Sequence, residues 1–224
     1  MTVEQKLQRV NEKIASACHE AGRAPESVQL IAVSKTRSVE AIEEARACGQ
    51  IHFGENYAQE LRDKAKMIPS APEQRWHYIG RIQKNKAKYI APNAYRIHTL
   101  ENVEQAEALL KRAPNGIDTL IAVNIGRESQ KSGVAPEQII EISQQLAQNP
   151  LCRIHGLMCL PPMVTNPEDT QPYFEEMRYW LEKGRSSGFD WRELSMGMSA
   201  DFSVAIANGA TWVRVGTAIF GPRA

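Results

Sequence analysis

The chain has 224 residues, of which 42% are apolar and 24% are charged, a composition that is ordinary for a soluble globular protein. Its 27 basic and 26 acidic side chains leave a formal charge of +1, so nothing in the charge suggests nucleic acid or a membrane as a partner. No apolar run approaches the roughly 20 residues that span a bilayer, and the N-terminus lacks the apolar core of a signal peptide. We therefore expect a cytoplasmic protein.

The four cysteines predict free thiols rather than a metal site or a disulfide framework. None belongs to a C-x-x-C pair, and no histidine lies at zinc-finger spacing from them. Free cysteine usually behaves as a small apolar residue, and unpaired thiols suit a reducing compartment. The cysteines are Cys18, Cys48, Cys152 and Cys159.

The predicted elements begin with an amphipathic helix over residues 3–22, in which Val10, Ile14 and Ala17 recur at helical spacing. Strands and helices then alternate along the chain. Short apolar runs predict strands at 28–35, 52–56, 75–80, 95–100, 118–126, 153–160, 193–196 and 213–217. The predicted helices between them include 38–47 with Ser38 as N-cap, a basic helix at 83–90, and helices at 170–183 and 201–207.

This alternation predicts an α/β fold, a single (β/α)₈ TIM-type barrel over residues 1–224 with the first helix as an extra element. An open doubly wound sheet is the alternative, but no Gly-rich dinucleotide fingerprint follows the first strand. In TIM-type barrels the chemistry lies where the strands end and the loops to the next helices begin. The polar residues at the predicted strand ends are Lys35, Asn56, His77, Asn124, the turn 195–199 and the segment 214–217.

Lys35 closes the first predicted strand, where a two-residue period places it on the same face as Ile31 and Val33. A lysine in or near the barrel core would be poorly hydrated, which favours the neutral amine that can attack a carbonyl. A lysine that extends from a strand end into solvent is the alternative. The position alone does not decide between the two.

The loops after the seventh and eighth strands predict a phosphate-bearing ligand. The turn 195–199 contains Met196 and Ser199 and precedes a helix, where small residues can donate backbone N–H groups to an anion. A simple hydroxyl turn with an Asp cap is the alternative there. Gly216 and Thr217 repeat the pattern after the eighth strand, and TIM-type barrels often bind phosphate in these two loops.

Other polar residues admit more than one interpretation. Arg214 lies on the same strand face as Gly216, and a guanidinium inside a barrel needs either a ligand acceptor or a structural ion pair. His77 is expected to be a hydrogen-bonded core residue, because no cluster of ligating side chains supports a metal. Lys131 could reach a phosphate or be solvated. The basic stretch at 81–88 lacks interleaved aromatic residues, which disfavours nucleic-acid binding.

Seven motifs, taken in order along the chain, support a family resemblance. They are IAVSKT at 31–36, FGENY at 53–57, WHYIG at 76–80 with QKNK at 83–86, KSG at 131–133, HGLM at 155–158, LSMGMS at 194–199 and VRVGTAIFG at 213–221. With them the chain resembles the pyridoxal phosphate homeostasis protein family over essentially its whole length. The resemblance implies a single barrel like the N-terminal domain of bacterial alanine racemase, with pyridoxal 5′-phosphate (PLP) as its cofactor.

The resemblance also implies roles for individual residues. Lys35 matches the family's Schiff-base lysine, and Arg214 matches the arginine that faces the pyridine nitrogen. The matches to phosphate-binding positions are Ser199, Gly216 and Thr217, with backbone from the turn at Met196. Asn56 and His77 match positions that line the cofactor cleft. Arg37 departs from the lysine often found in relatives, and because an arginine cannot form an imine, no secondary cofactor transfer is expected there.

Two classes of function compete on these residues. One is a non-catalytic holder of PLP in cofactor homeostasis, which could deliver PLP to apo-enzymes. The other is a PLP enzyme such as an amino-acid racemase, with a Schiff-base aldolase as a further possibility. The cationic Arg214 would leave the ring a weak electron sink. A racemase also needs a second base, for which Tyr57 or Tyr78 could substitute in principle, but nothing in the sequence places either hydroxyl. We therefore expect a holder of PLP, and a monomer, since no large apolar stripe is evident.

Overall fold

The computed structural model describes residues 1–68 and 74–222 of the chain. Eight parallel strands close into a barrel in sequence order, β1 to β8, which confirms the predicted TIM-type fold. The strands are β1 Gln29–Val33, β2 His52–Glu55, β3 Arg75–Tyr78, β4 Arg96–Leu100, β5 Ile117–Val123, β6 Cys152–Cys159, β7 Glu193–Ser195 and β8 Trp212–Val215. The assignment of residues 1–224 to one domain stays a prediction, and its end at Ala224 lies outside the described residues.

Each strand is followed by an α-helix, and one additional helix precedes the barrel. The helices are α1 Val3–Glu20, α2 Val39–Ala47, α3 Ala58–Met67, α4 Ala87–Ile90, α5 Val103–Leu110, α6 Ile139–Ala147, α7 Gln171–Ser186, α8 Phe202–Ala207 and α9 Thr217–Phe220. Ser38 caps α2 as predicted, because its side chain accepts a hydrogen bond from the Ala41 N–H. None of the helices in the described ranges is both long and apolar enough to cross a membrane.

Most of the observed strands end earlier than the sequence pattern predicts, while β4 ends at Leu100 as predicted. The first strand stops at Val33 rather than Lys35, because the backbone turns sharply and Thr36 adopts a φ of 59°. The eighth strand stops at Val215, and Thr217 already begins α9. The predicted helix at 83–90 is a 3₁₀ turn followed by the four-residue α4, which ends two residues before Pro92. Lys35, Asn56 and Gly216 therefore lie beyond the ends of their strands, while His77 and Arg214 remain in β3 and β8.

The helix α1 adds to the apolar layer outside the barrel. A capping box starts it, since the Thr2 hydroxyl accepts from the Gln5 N–H and the Gln5 side chain accepts from the Thr2 N–H. Leu7, Val10 and Ile14 are buried where α1 packs against α2, α8 and α9. This apolar layer continues around the strands, so the main hydrophobic core lies between the barrel and its helices.

The barrel interior, in contrast, contains a column of polar side chains. His52 Nδ1 lies 2.9 Å from His77 Nε2, and His77 Nδ1 lies 2.8 Å from His98 Nε2. His98 Nδ1 in turn lies 2.9 Å from Ser195 Oγ. The Trp212 ring contacts all three imidazoles. We call His52, His77 and His98 the histidine column.

The histidine column is neutral at physiological pH. Burial and the neighbouring His98 hold the pKa of His77 well below 6.5, and burial with the charge of Arg214 does the same for the pKa of His98. Burial, aided by the positive charge of Arg75, lowers the pKa of His52 to about 4. Protonation of any of these rings would place a charge inside the barrel.

We expect the free energy of unfolding to fall as the pH drops below about 6.5, where free histidine titrates. In the unfolded chain these histidines take up protons, whereas in the folded protein they stay neutral. Each buried ring therefore lowers the free energy of unfolding by up to about 1.4 kcal/mol per pH unit. The contribution of His52 is smaller because its ring is partly exposed. Burial raises the pKa of Glu55 to about 7, and this carboxyl therefore acts in the opposite direction.

Urea unfolding at about pH 7.5, 6.5 and 5 measures this dependence. The variant Glu55→Gln removes the opposing carboxyl and should make the fall steeper. An unfolding free energy that stays constant across this range in both proteins would contradict a neutral histidine column.

Candidate ligand-binding site

A cavity of about 180 Å³ opens at the carboxyl ends of β1, β7 and β8. It is lined by Val33, Lys35, Arg37, Met198, Ser199, Arg214, Gly216 and Thr217. Five of the eight residues predicted for the site therefore lie around one space. This cavity combines a lysine amine, a guanidinium and two loops of small residues, which suits a ligand with a carbonyl and an anionic group.

The loop containing Lys35 has an unusual backbone. Lys35 is half-buried, and the next residue, Thr36, has a left-handed φ of 59° that β-branched residues rarely adopt. Such a conformation costs on the order of 1–3 kcal/mol and persists only where the surroundings enforce it. Here the Thr36 N–H donates to Glu60 Oε2 at 2.8 Å. The turn directs the chain away from β1 immediately after the lysine.

An ion cluster of Lys64, Glu55 and Glu60 holds this loop in place. Lys64 Nζ donates to the Ser34 carbonyl at 2.7 Å, to Glu55 Oε1 at 2.8 Å and to Glu60 Oε2 at 2.8 Å. The Ser34 hydroxyl donates to the same Glu55 oxygen at 2.6 Å. The two residues that flank Lys35 are thus both bound to one cluster. Burial raises the pKa of Glu55 to about 7, although the ammonium of Lys64 opposes the shift.

Sequence reasoning missed this cluster. Glu60 and Lys64 are four residues apart on α3, a spacing that indicates a helix-surface ion pair. Nothing in that spacing predicts that the pair reaches the loop after β1. Glu55 belongs to the FGENY motif, but its burial depends on the barrel packing.

Arg214 forms the floor of the cavity and is 4% exposed. Its Nη1 donates to Ser195 Oγ at 2.7 Å, and its Nη2 donates to the Cys159 carbonyl at 2.8 Å. Within residues 1–68 and 74–222 no carboxylate forms an ion pair with it, so the predicted alternative of a structural ion pair finds no support. Burial lowers its pKa. A guanidinium has five N–H donors, and two neutral acceptors leave it able to bind a ligand.

The loops after β7 and β8 are shaped by glycine. Gly197 has a φ of 91°, and a Cβ there would lie 2.6 Å from the Ala205 Cβ, so the turn before α8 excludes other residues. A Cβ on Gly216 would lie 3.3 Å from the Val33 Cβ and carbonyl. Both loops lead into helices, whose first N–H groups lack partners within the helix and favour anions. Ser199 and Thr217 add hydroxyls at the cavity.

Three of the predicted site residues lie elsewhere. Asn56 lines a second cavity of about 310 Å³, together with Lys131 and Asn124, and its Oδ1 is buried without a hydrogen-bond partner among the described residues. His77 lines neither cavity, because its ring is fully buried in the histidine column. Met196 is fully buried as well, and its N–H donates to the Trp212 carbonyl at 3.1 Å.

The described part of the chain also bears on the predictions for Lys131, for the cysteines and for metal binding. Lys131, predicted to be solvated or bound to phosphate, donates to the Pro161 carbonyl at 3.1 Å and pairs with Glu128. The thiols of Cys18, Cys48, Cys152 and Cys159 are free. No group of three His, Cys, Asp or Glu side chains able to hold a metal occurs in the described ranges.

Known proteins resemble this chain over nearly its full length. The sequence profile of the family described as alanine racemase, N-terminal domain, matches residues 6–224. A pyridoxal phosphate homeostasis protein of Aquifex aeolicus is 42% identical over 223 residues, which cover 98% of this chain and 97% of the relative. The protein of the same name from Pseudomonas aeruginosa is 39% identical over 225 residues, with 99% and 96% covered.

A solved structure agrees with this assignment. PipY of Synechococcus elongatus, determined with PLP bound, is 33% identical and has a TM-score of 0.85. The match covers 98% of this chain and 100% of PipY. Fold and sequence therefore lead to the same group of proteins. The chain belongs to the pyridoxal phosphate homeostasis protein family, within the larger family defined by the N-terminal domain of alanine racemase.

Proposed function

We propose that this protein binds PLP as a Schiff base on Lys35 and acts in PLP homeostasis rather than as a catalyst. The observation that supports this most directly is the single cavity shared by Lys35, Arg214 and the loops after β7 and β8. PLP has an aldehyde, a ring nitrogen and a phosphate, and the cavity offers one partner for each. The PLP in the PipY structure and the names of the relatives support the same conclusion.

The residues fit the three parts of the cofactor. The amine of Lys35 would condense with the aldehyde and release one water, and the cofactor would supply an electrophilic carbon joined to an electron-withdrawing ring. Ser199, Gly216 and Thr217, with backbone of the 195–199 turn, would bind the phosphate. The guanidinium of Arg214 donates to Ser195 and to the Cys159 carbonyl, and another of its five N–H groups would donate to the ring nitrogen.

Arg214 is also the reason for proposing a holder instead of a catalyst. A guanidinium donates a hydrogen bond but does not deliver its proton at neutral pH, so the ring nitrogen would stay unprotonated. PLP catalysis depends on the ring as an electron sink, and an unprotonated ring is a weaker one. The ion cluster beneath Lys35 holds the lysine loop in place, which suits a stable attachment.

The two tyrosines that a racemase mechanism would need do not support that alternative. Tyr57 is 53% exposed, and neither it nor Tyr78 lines the cavity that contains Lys35. The Tyr78 hydroxyl donates to the Arg81 carbonyl at 2.9 Å. Burial raises the pKa of Tyr78 to about 12, which makes it a poor base at neutral pH.

We further propose that the protein acts in the cytoplasm as a monomer and delivers PLP to apo-enzymes that depend on it. Four free thiols, three of them buried, suit a reducing compartment. A Schiff base is a reversible bond, so a holder can release its cofactor to an acceptor. Native mass spectrometry of the loaded protein reports both the oligomeric state and the number of cofactors bound.

Purified protein incubated with PLP should gain visible absorbance, and borohydride reduction should attach the cofactor to Lys35. Lys35→Ala should abolish the absorbance and weaken PLP binding by at least about tenfold, or ~1.4 kcal/mol, because the covalent bond is lost. The matched control Lys84→Ala alters an exposed lysine and should behave as wild type. Peptide mass analysis identifies the modified residue, and an adduct on any other lysine would contradict the proposal.

The double variant Ser199→Ala/Thr217→Val tests the phosphate loops, since it removes two hydroxyls with little change in volume. It should weaken PLP binding about tenfold, or ~1.4 kcal/mol, and leave binding of pyridoxal, which lacks the phosphate, unchanged. Titrations of both ligands followed by absorbance give the ratio. Equal losses for the two ligands would indicate that these residues do not bind phosphate.

The loaded protein should not exchange the α-proton of amino acids in D₂O at enzymatic rates, which are typically about 1–10³ s⁻¹. The expectation follows from the cationic Arg214 and from the positions of Tyr57 and Tyr78. Proton NMR of alanine and other amino acids measures the exchange directly. Exchange within that range would favour the racemase alternative over the holder.

A further inference from the structure

A continuous hydrogen-bond chain connects the floor of the cavity with the opposite end of the barrel. It runs from the Arg214 guanidinium through the Ser195 hydroxyl into the histidine column, and every contact along it measures between 2.7 and 2.9 Å. Ser195, His77 and His98 are each fully buried. The hydrogen-bond chain ends at the partly exposed His52, which borders a surface groove near the start of β1.

Elementary hydrogen-bond chemistry gives this chain a direction. Arginine only donates, so the Ser195 oxygen accepts from Arg214. The Ser195 hydroxyl has one hydrogen of its own, and among the described residues His98 Nδ1 is the neighbour placed to accept it. His98 then carries its hydrogen on Nε2 and donates to His77 Nδ1. His77 likewise donates from Nε2 to His52 Nδ1.

The opposite direction is disfavoured by the same argument. If each imidazole donated toward the cavity, Ser195 would accept from both Arg214 and His98. The hydrogen of a fully buried hydroxyl would then lack an acceptor, which folded proteins rarely tolerate. A second proton on His77 would set its Nδ1–H against the Nε2–H of His98, and a second proton on His98 would set its Nδ1–H against the Ser195 hydroxyl hydrogen. The arrangement therefore requires neutral rings with the hydrogen on Nε2.

We propose that Ser195 and His98 are positioning residues that would hold Arg214 ready to donate to the ring nitrogen of PLP, through a histidine column of fixed direction. This proposal extends the PLP site of the proposed function to side chains that do not touch the cavity. Because Arg214 has no carboxylate partner among the described residues, neutral acceptors determine its orientation. In the described part of the chain these acceptors are the Ser195 hydroxyl and the Cys159 carbonyl, and His98 accepts the hydroxyl hydrogen of Ser195 and so fixes its orientation.

Long-range ¹H–¹⁵N NMR of the ligand-free protein tests the direction of the chain, because it distinguishes the two nitrogens of each imidazole. The protein has five histidines, so single substitutions suffice to assign their NMR signals. At about pH 7, His77 and His98 should each show a protonated Nε2 and an unprotonated Nδ1. A protonated Nδ1 or a charged ring at either position would overturn the proposal, and the tautomers themselves are read from the wild-type protein.

The variant Ser195→Ala tests the positioning role. It should release the fixed tautomer of His98, so that a protonated Nδ1 appears, and weaken PLP binding about three- to tenfold while borohydride still fixes PLP to Lys35. Ser195→Thr retains the hydroxyl and should restore the wild-type tautomer and affinity. Ser143→Ala, a fully buried serine on α6, is the matched control and should change neither.

The two proposals fail in different ways. If the wild-type protein does not bind PLP, the proposed function fails. The tautomers of the ligand-free protein can still be measured in that case. If Ser195→Ala binds PLP with unchanged affinity and visible spectrum, the positioning role fails and the proposed function stands.

Discussion

A buried guanidinium with no carboxylate partner among residues 1–68 and 74–222 is the constraint on which the rest of the site depends. Arg214 is 4% exposed, and its two protein acceptors are a hydroxyl and a backbone carbonyl. A buried charge is tolerated only where hydrogen bonds or a ligand compensate for lost hydration. The polar barrel interior serves this need, because an apolar side chain in place of Ser195 would leave the guanidinium with the Cys159 carbonyl and no hydroxyl to accept from it. The remaining N–H groups of the guanidinium make the cavity suited to a ligand that accepts hydrogen bonds.

The lysine is held from a different direction. The ion cluster of Lys64, Glu55 and Glu60 binds the residues on both sides of Lys35 and stabilises the left-handed turn at Thr36. Two independent buried networks thus meet at one cavity, one beneath the amine and one beneath the guanidinium. A rigid site of this kind favours attachment of a cofactor over the movements that a catalytic cycle requires.

The periodic features of the sequence were sufficient to predict the barrel. Eight apolar runs at regular spacing indicated the strand order, and loops after strands seven and eight indicated where Ser199 and Thr217 would meet Lys35. The histidine column was not predictable in the same way. His52, His77 and His98 belong to three strands, and their contact depends on the barrel's stagger and interior packing, which no local pattern specifies. The turn at Thr36 was missed for a related reason, since tertiary contacts enforce a conformation that threonine disfavours.

The central claim, that one cavity holds PLP through Lys35 and Arg214, is tested most directly by a crystal structure of the protein loaded with PLP. The account predicts continuous electron density from Lys35 Nζ to the cofactor, with the ring nitrogen within hydrogen-bond distance of Arg214 and the phosphate between Ser199 and Thr217. Cofactor density in the second cavity beside Asn56 and Lys131, with the cavity at Lys35 lacking PLP, would contradict it.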